Sequence, residues 1–147
     1  MQDTLPIHFA PLQGYTEAIY RNAHDAFFGG VDTYYTPFVR LEKGNFRRRD
    51  VRGIEPENNG VTHLIPQLIA SSAEKAEVIL SLFIEKGYQE VDINLGCPFP
   101  LLAKRHNGSG ILPYPEEVKA LLSIVTRYPQ ISFSVKMRLG WEQPDEC

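Results

Sequence analysis

The chain has 147 residues, of which 43% are hydrophobic and 22% are charged, and its formal net charge is −3. This composition is that of an ordinary soluble globular protein, and the net charge argues against a general binder of polyanions. No apolar run is long enough to cross a bilayer and the N-terminus lacks the pattern of a signal peptide, so we expect a cytoplasmic protein without membrane association.

Residues 1–60 predict two strands, one helix and a long loop. The apolar run 7–12 indicates a strand, and Thr16 then caps a helix that ends at residues 29–30, which are both glycine. The apolar positions of this helix, at helical spacing, are Ile19, Ala23, Ala26 and Phe27. A second strand is predicted over 31–39. Residues 40–60 are predicted to form a loop with little regular structure, and long loops in compact domains are often functional.

The rest of the chain continues the alternation of strand and helix. Strands are predicted over residues 62–70, 90–96 and 131–140, with a helix between each pair. The first of these helices is capped by Ser71 or Ser72, ends at Gly87 and buries a stripe formed by Ala76, Ile79, Leu80, Phe83 and Ile84. The second runs from Pro115 to about Arg127 and buries Val118, Leu121, Leu122 and Val125. Such alternation predicts a parallel sheet built from right-handed crossovers.

Two of the strands have one apolar and one polar face, and this pattern indicates a barrel. In the fourth strand, one face carries Val91, Ile93 and Leu95 and the other carries Asp92 and Asn94. The fifth strand alternates in the same way, with Ile131, Phe133, Val135, Met137 and Leu139 opposite Ser132, Ser134, Lys136 and Arg138. Strands of a doubly wound sheet are apolar on both faces, whereas a barrel strand turns one face to the helices and the other to the interior. A half-exposed antiparallel sheet is the alternative.

The predicted fold is therefore α/β, a parallel (β/α)8 TIM barrel truncated to about its first five strands. A complete barrel takes about 250 residues, and this chain stops just after its fifth strand. We interpret residues 1–147 as the N-terminal part of a longer barrel. A naturally incomplete barrel, the alternative, would leave a parallel edge unpaired.

A lone thiol, Cys97, follows the fourth strand at the end where such barrels place their active sites. The one other cysteine is Cys147, which argues against a disulfide framework, and no Cys/His spacing suggests a zinc site. Three roles are open for this thiol: a small buried apolar group, a nucleophile with His106 as its base, or a general acid. The general acid gains support from Asn94, whose amide shares the inward face and would orient a substrate.

Other polar side chains also fit a ligand site. Lys136, on the inward face of the fifth strand, needs an anionic ligand, an electron-rich cofactor ring or an ion pair with Asp92. Gln67 both donates and accepts hydrogen bonds, which suits the edge of a flavin. The glycine loop 106–110 either lets the backbone approach a phosphate or a base, or is a simple turn. Positive charge concentrates at Arg40, Lys43, Arg47, Arg48, Arg49 and Arg52.

Four segments together resemble the tRNA-dihydrouridine synthases. They are APLQGYTE after the first strand, PQL with Gln67, DINLGCP with Cys97 and VKMRLGW with Lys136, and they occur in the order and rough spacing of that family. NLGCP is the most specific, because it separates this family from neighbouring flavin barrels such as dihydroorotate dehydrogenases and old yellow enzymes. The match runs from Ala10 to Trp141 and covers roughly the first half of the family's flavin-binding barrel.

The resemblance implies a flavin enzyme that acts on tRNA. In this family NADPH reduces FMN, hydride passes to one carbon of the uracil double bond, and the cysteine matching Cys97 protonates the other. Asn94 matches the residue beside the uracil. The residues implied to bind FMN are Pro11, Leu12, Gln13, Gln67 and Lys136. Lys104 and Arg105, in the loop after Cys97, are expected to contact the substrate. A uridine drawn out of folded tRNA needs positive charge around the site, which residues 40–52 supply.

The chain also departs from the family pattern. Leu12 and Glu17 replace the usual methionine and aspartate of the first motif, and Leu101 stands where many members carry a basic residue. The later strands that hold the FMN phosphate and the C-terminal helical domain that holds tRNA are absent, so we expect this chain alone to bind FMN weakly and to be inactive. The rival functions are another FMN-dependent barrel oxidoreductase acting on a small molecule, and an inactive half-barrel that binds RNA or a partner.

Overall fold

The computed structural model describes residues 5–146, in which strands and helices alternate. The strands are β1 (His8–Phe9), β2 (Thr33–Tyr35), β3 (Leu41–Glu42), β4 (Asn45–Phe46), β5 (Leu64–Ile65), β6 (Gln67–Leu68), β7 (Glu90–Leu95) and β8 (Ser132–Met137). The helices are α1 (Ala18–Phe27), α2 (Arg48–Ile54), α3 (Ala73–Glu85), α4 (Pro100–Ala103) and α5 (Pro115–Arg127). Short 3-10 turns cover Pro56–Asn58, Gly108–Ile111 and Pro144–Glu146.

The main strands are parallel, and each lies beside the one that precedes it in the chain. β1 pairs with β2, β2 with β5, β6 with β7 and β7 with β8. Pro66 separates β5 from β6 because it has no N–H for the ladder, yet its carbonyl still accepts from the N–H of Asp92 at 3.0 Å. The parallel pairing confirms the α/β prediction and excludes the antiparallel alternative. The truncated (β/α)8 barrel remains a prediction.

The core lies between the apolar face of β7 and the two long helices. Val91, Ile93 and Leu95 are at most 2% exposed, as the alternating pattern predicted. They pack in one cluster with residues of α3 and α5, including Ile79, Leu80, Phe83, Leu121 and Ile124. Because the helices cover this face, the opposite face of β7 is left for polar side chains.

Both long helices follow the predicted pattern with small corrections. Ser72, one of the two predicted caps, accepts a hydrogen bond from the backbone N–H of Lys75 at the start of α3. Ile84 was predicted to be buried but is 39% exposed, and in α5 Val125 is 40% exposed while Ile124 is fully buried. The stripe that faces the core is therefore narrower on α3. On α5 Val118, Leu121 and Leu122 face the core as predicted, and Ile124 takes the place of Val125.

The buried face of α1 was predicted wrongly. Ile19 and Phe27 are 85% and 83% exposed, whereas Arg21 is fully buried. The Arg21 guanidinium donates to the carbonyls of Thr16 and Gly53 and to the side-chain oxygen of Asn59, and these bonds turn its face of the helix inward. Burial lowers the pKa of Arg21 to about 10. Thr16 is also not the cap, since its hydroxyl accepts from the backbone N–H of Leu12.

The region 40–60 is not the irregular loop that the sequence predicted. It contains the β3–β4 hairpin, helix α2 and a 3-10 turn. The hairpin turns at Lys43 and Gly44, which have φ angles of 51° and 79°, the left-handed values that a tight two-residue hairpin requires. Asp50 in α2 is buried, and its pKa is raised by burial, although Arg47, Arg40 and Arg49 act in the opposite direction.

Apolar side chains remain exposed along both outer strands of the sheet. Within residues 5–146, β1 pairs only with β2, and β8 pairs only with β7. Val135 and Met137 of β8, which the pattern placed toward the helices, are 40% and 48% exposed, and Ile7 beside β1 is 57% exposed. No helix within residues 5–146 has the length and apolar character needed to cross a membrane.

Candidate active site

Three neighbouring strands bring the predicted polar residues to one face of the sheet. Gln67 of β6 lies opposite Asp92 of β7, and Asn94 of β7 lies opposite Lys136 of β8. Side chains at paired positions of parallel strands project to the same face, and so do residues two apart on one strand. These four side chains therefore share the face that the helices do not cover, near the carboxyl ends of the strands.

A continuous chain of hydrogen bonds joins these residues to the segment that carries the thiol. The Asp92 carboxylate accepts from the hydroxyl of Ser134 at 2.7 Å and from Nε2 of Gln67 at 2.6 Å. Oε1 of Gln67 accepts from Nδ2 of Asn94 at 2.8 Å. Oδ1 of Asn94 in turn accepts from the backbone N–H groups of Gly96 and Cys97, at 3.1 and 2.9 Å. The site is thus one connected network rather than a set of separate side chains.

Asp92 is the buried acid of this network. It is 2% exposed, and burial raises the pKa of its carboxyl group, an effect that the hydrogen bonds from Ser134 and Gln67 and the charge of Lys136 partly offset. Lys136 itself is exposed, and its ammonium takes part in none of the ion pairs found in residues 5–146. The alternative of a structural ion pair between Lys136 and Asp92 is therefore not supported.

Cys97 is a free, half-buried thiol at the end of this network. Its side chain packs against an apolar cluster formed by Phe38, Ile69 and Leu102. Its backbone is held on both sides, because its N–H donates to Asn94 and its carbonyl accepts from the N–H and the hydroxyl of Ser109, at 3.0 and 3.1 Å. The thiol is thus attached to a fixed backbone, as a group that must meet a substrate requires.

The glycine loop after α4 supports the backbone of Cys97. Gly108 has a φ of 59°, and a Cβ at this position would lie 2.6 Å from the carbonyl oxygen of Cys97 and 2.9 Å from its Cβ. Ser109, the next residue, is fully buried and makes both bonds to the Cys97 carbonyl. The close backbone approach that the glycines indicated is therefore real, but its partner is the thiol segment of the same chain.

His106 does not support the interpretation of Cys97 as a nucleophile with a histidine base. Its Nδ1 bonds to Oε2 of Glu117 at 2.7 Å, and its ring stacks on Tyr114 with the ring centres 4.1 Å apart. These two contacts fix the ring to helix α5 and its N-cap. The general-acid role, which needs no adjacent base, stays a prediction, as does the role of a buried apolar group.

The turn after β1 contains a side chain that lacks a partner. The carbonyl of Leu12 accepts from the N–H groups of Tyr15 and Thr16, which closes the turn behind Pro11. Both polar atoms of the Gln13 side chain are buried and have no hydrogen-bond partner among the described residues. A buried unpaired amide is unfavourable by about 1–3 kcal/mol, so this turn fits a polar ligand that would supply the missing bonds.

A basic pocket lies next to the thiol. It has a volume of about 520 Å³ and is lined by residues of the β3–β4 hairpin, the start of α3 and the segment after Cys97. Its lining includes Ile69 and Leu102, which belong to the apolar cluster against which Cys97 packs. The charged residues and the exposed aromatic residue of its wall are Arg40, Glu42, Lys43, Lys75, Phe99 and Arg105. Of the two predicted substrate contacts after Cys97, Arg105 lines this pocket, and Lys104 is exposed outside the lining.

Comparison with known proteins identifies the family. The sequence profile described as dihydrouridine synthase (Dus) matches residues 8–147. The chain belongs to the dihydrouridine synthase family. A relative from Synechocystis, named probable tRNA-dihydrouridine synthase 1, is 29% identical over 90% of this chain and 37% of its own length. The tRNA-dihydrouridine synthase B of Pasteurella multocida is 23% identical over 93% of this chain and 41% of its own length.

A shorter match has a higher identity. The tRNA-dihydrouridine synthase B of Klebsiella pneumoniae is 33% identical over 52% of this chain and 24% of its own length. The matches that run along most of this chain thus cover 37% and 41% of the curated relatives. Membership of the dihydrouridine synthase family confirms the resemblance that the four motifs indicated.

Within this family assignment, the structure adds residues that the motifs did not single out. Gln67, Asn94 and the backbone of Cys97 were expected near one another, and the structure joins them. The sequence assigned no functional role to Asp92 or Ser109, although Asp92 shares the polar face of β7 and Ser109 lies between two glycines. No group of three or more His, Cys, Asp or Glu suited to a metal ion occurs within residues 5–146.

Proposed function

We propose that this chain carries the N-terminal part of the barrel of a cytoplasmic, FMN-dependent tRNA-dihydrouridine synthase. The reaction is the reduction of uridine to 5,6-dihydrouridine in tRNA, with NADPH as the reductant. The observation that carries this proposal is the family match over residues 8–147. The connected network from Asp92 to Cys97 supports it, since it joins the proposed cofactor and substrate residues at one end of the sheet. The remaining strands and the tRNA-binding helical domain would come from sequence beyond this chain.

The residues that would hold FMN have free hydrogen-bonding capacity or free charge. Gln13 has two buried polar atoms without a partner, in the turn that begins with Pro11 and Leu12. Gln67 keeps one N–H and one lone pair after its bonds to Asp92 and Asn94. Lys136 presents an exposed ammonium on the same face. When bound and reduced, FMN supplies the hydride for one carbon of the uracil double bond.

In this proposal Cys97 supplies the proton for the other carbon. The S–H bond breaks, the new C–H bond takes the proton, and the resulting thiolate regains a proton from solvent. The backbone of Cys97 is held by Asn94 and Ser109, so the thiol keeps its position while the base is bound. Asn94 would bind a carbonyl oxygen of the uracil through the amide hydrogen that the network leaves free.

The basic pocket beside Cys97 would bind the RNA around the target uridine. A uridine in folded tRNA must leave its stack to reach the thiol, so its neighbours pass over the surrounding surface. Lys43, Lys75 and Arg105 supply positive charge for phosphates, and the exposed ring of Phe99 offers a face on which a base can stack. Lys104 extends the positive charge next to Arg105.

The function is tested in cells that lack the gene encoding this chain. We expect mass spectrometry of their tRNA to show the loss of dihydrouridine at one or more positions. The gene with Cys97→Ala should fail to restore the modification, whereas the gene with Cys147→Ser should restore it. Unchanged dihydrouridine in the deletion strain would reject the proposal and favour an FMN enzyme that acts on a small molecule.

The RNA surface is tested on the purified chain by fluorescence anisotropy with a single-stranded oligoribonucleotide. The double variant Lys43→Ala/Lys75→Ala should bind more weakly, and the slope of log K against log salt should fall by about 0.7 for each phosphate that the variant no longer neutralises. Lys119→Ala removes an exposed lysine of α5 outside the pocket lining and should leave both values unchanged. Equal effects of the two changes would mean that binding is not located in the pocket.

A further inference from the structure

The hydrogen bonds that lead from Cys97 to Asp92 all point in the same direction. The N–H of Cys97 donates to Oδ1 of Asn94, Nδ2 of Asn94 donates to Oε1 of Gln67, and Nε2 of Gln67 donates to Asp92. An amide side chain accepts through its oxygen and donates through its nitrogen. A flip of either amide alone, which exchanges its oxygen and nitrogen, would therefore bring two donors or two acceptors together at each of its contacts. The two amides share one orientation.

The two ends of the network decide which orientation this is. Backbone N–H groups, here those of Gly96 and Cys97, only donate, and an ionised carboxylate only accepts. The thiol segment thus requires an oxygen from Asn94, and Asp92 requires a nitrogen from Gln67. Ser134 bonds the second carboxylate oxygen of Asp92, so the carboxylate itself is held on both sides.

We propose that Asp92 is a positioning residue that acts together with the backbone N–H groups of Gly96 and Cys97. By fixing Gln67 at the other end of the network, it helps to set which hydrogen-bonding groups Gln67 and Asn94 offer to ligands. In the observed orientation, each amide nitrogen uses one hydrogen inside the network and keeps the other for a ligand. Asn94 therefore offers an N–H to the base, and Gln67 offers one to the edge of the flavin. The identity of these ligands rests on the proposed function, whereas the orientation itself does not.

In this proposal Asn94 faces position 4 of the base, and at that position the observed orientation favours uracil over cytosine. The two bases differ at position 4, where uracil has a carbonyl oxygen and cytosine has an amino group. An N–H from Asn94 pairs with that oxygen but meets another donor in cytosine, which leaves polar groups unpaired in the site. An Asn94 side chain in the opposite orientation would reverse this preference. Asp92 thus acts on specificity without touching the base.

The orientation is tested on the isotope-labelled chain by NMR, without cofactor or RNA. Asp92→Asn keeps the shape of the side chain but offers both a donor and an acceptor. The contact with residue 92 then no longer excludes either orientation of the Gln67 amide. We expect the backbone N–H groups of Gly96 and Cys97 to exchange with solvent about tenfold faster in this variant. Ser134→Ala removes the other bond to Asp92 and should change these exchange rates much less.

A double variant separates orientation from packing. In Asp92→Asn/Gln67→Glu, the carboxylate at position 67 accepts from both asparagines, so Asn94 again donates to residue 67 and presents its oxygen to Cys97. We expect slow exchange at Gly96 and Cys97 to be restored, which a merely structural role of Asp92 does not predict. Unchanged exchange in Asp92→Asn, or equal effects of Asp92→Asn and Ser134→Ala, would overturn the inference.

Two further measurements complete the test, and both begin with the unmodified chain. A coupling across the hydrogen bond, from the Cys97 nitrogen to the side-chain carbonyl carbon of Asn94, is expected and depends on no variant. Titration with uridine and cytidine monophosphates should shift the Asn94 side-chain amide signals more with uridine, and Asp92→Asn should make the two responses equal. Absence of the coupling would refute the orientation, and equal or absent responses in the unmodified chain would refute the specificity.

Discussion

Replacing Gly108 by alanine should displace the segment that carries the thiol. The added Cβ would lie 2.6 Å from the Cys97 carbonyl oxygen, 2.9 Å from its Cβ and 3.0 Å from its nitrogen. All three atoms belong to the backbone or to the first side-chain atom of Cys97, so no rotamer change relieves the clash. The backbone of one of the two residues has to move.

The decrease in the free energy of unfolding of Gly108→Ala has two parts. A φ of 59° is in the left-handed region, where a residue with a Cβ is less favourable by about 1–2 kcal/mol. Overpacking against fixed backbone adds about 1–3 kcal/mol. Gly44→Ala is the matched control, because its φ is 79° and nothing lies within 4 Å of its added Cβ. The difference between the two variants therefore isolates the clash with Cys97.

Urea unfolding and thiol labelling measure the two consequences. With Cys147→Ser as the background, Gly108→Ala should lose about 2–5 kcal/mol of stability, and its Cys97 should react faster with a disulfide reagent. Gly44→Ala should lose about 1–2 kcal/mol and label at the original rate. Similar losses in stability for the two variants, with similar labelling rates, would show that Gly108 does not support the thiol.

Three further changes probe other parts of the structure. Arg21→Met keeps the volume of the side chain but removes its hydrogen bonds to two carbonyls and an amide oxygen. Urea unfolding should therefore show a free energy of unfolding lower by about 3 kcal/mol. A decrease below about 1 kcal/mol would contradict the role of this guanidinium. Ser109→Ala removes one of two bonds to the Cys97 carbonyl, which should lower stability by about 1 kcal/mol and speed thiol labelling. Burial raises the pKa of Asp92, so the contribution of this pKa shift to stability is fully present below the unfolded pKa and is lost as pH rises through the raised value. The free energy of unfolding of the original chain minus that of Asp92→Asn should therefore fall from pH 4 to pH 7. A rise in this difference would refute the direction assigned to the pKa shift.

Elements with strong periodicity were predictable from the sequence. Helix α5 runs over Pro115–Arg127 as predicted, and the alternating faces of β7 are present. The region 40–60 was missed because its strands have two residues each and α2 has seven, which is too short for a clear hydrophobic period. Its hairpin turn depends on the left-handed Lys43 and Gly44 rather than on a pattern of apolar residues.

The face of α1 was missed for a different reason. Apolar spacing alone favoured Ile19 and Phe27 as buried positions, but a buried arginine with three hydrogen-bond partners outweighs that pattern. Its partners lie up to 38 residues away in the chain, where no local rule indicates them. Long-range polar contacts of this kind depend on tertiary structure.

The candidate site was predictable as a set of residues but not as a network. Spacing along β7 places Asp92 and Asn94 on one face, and the motifs add Gln67 and Cys97. The direction of each amide depends on distances of 2.6 to 2.9 Å between specific atoms, which no sequence pattern contains. The support of Cys97 by Gly108 likewise depends on the close approach of two separate loops.

The two edge strands of the sheet affect how the isolated chain will behave in solution. Among the residues that the structure describes, β1 and β8 each have a neighbouring strand on one side only, and Ile7, Val135 and Met137 lie there with large exposed areas. Free N–H and C=O groups next to apolar side chains favour intermolecular strand pairing. Self-association that grows with concentration would then compete with RNA and nucleotide binding, so titrations are best performed at low micromolar protein, with sedimentation measured in parallel.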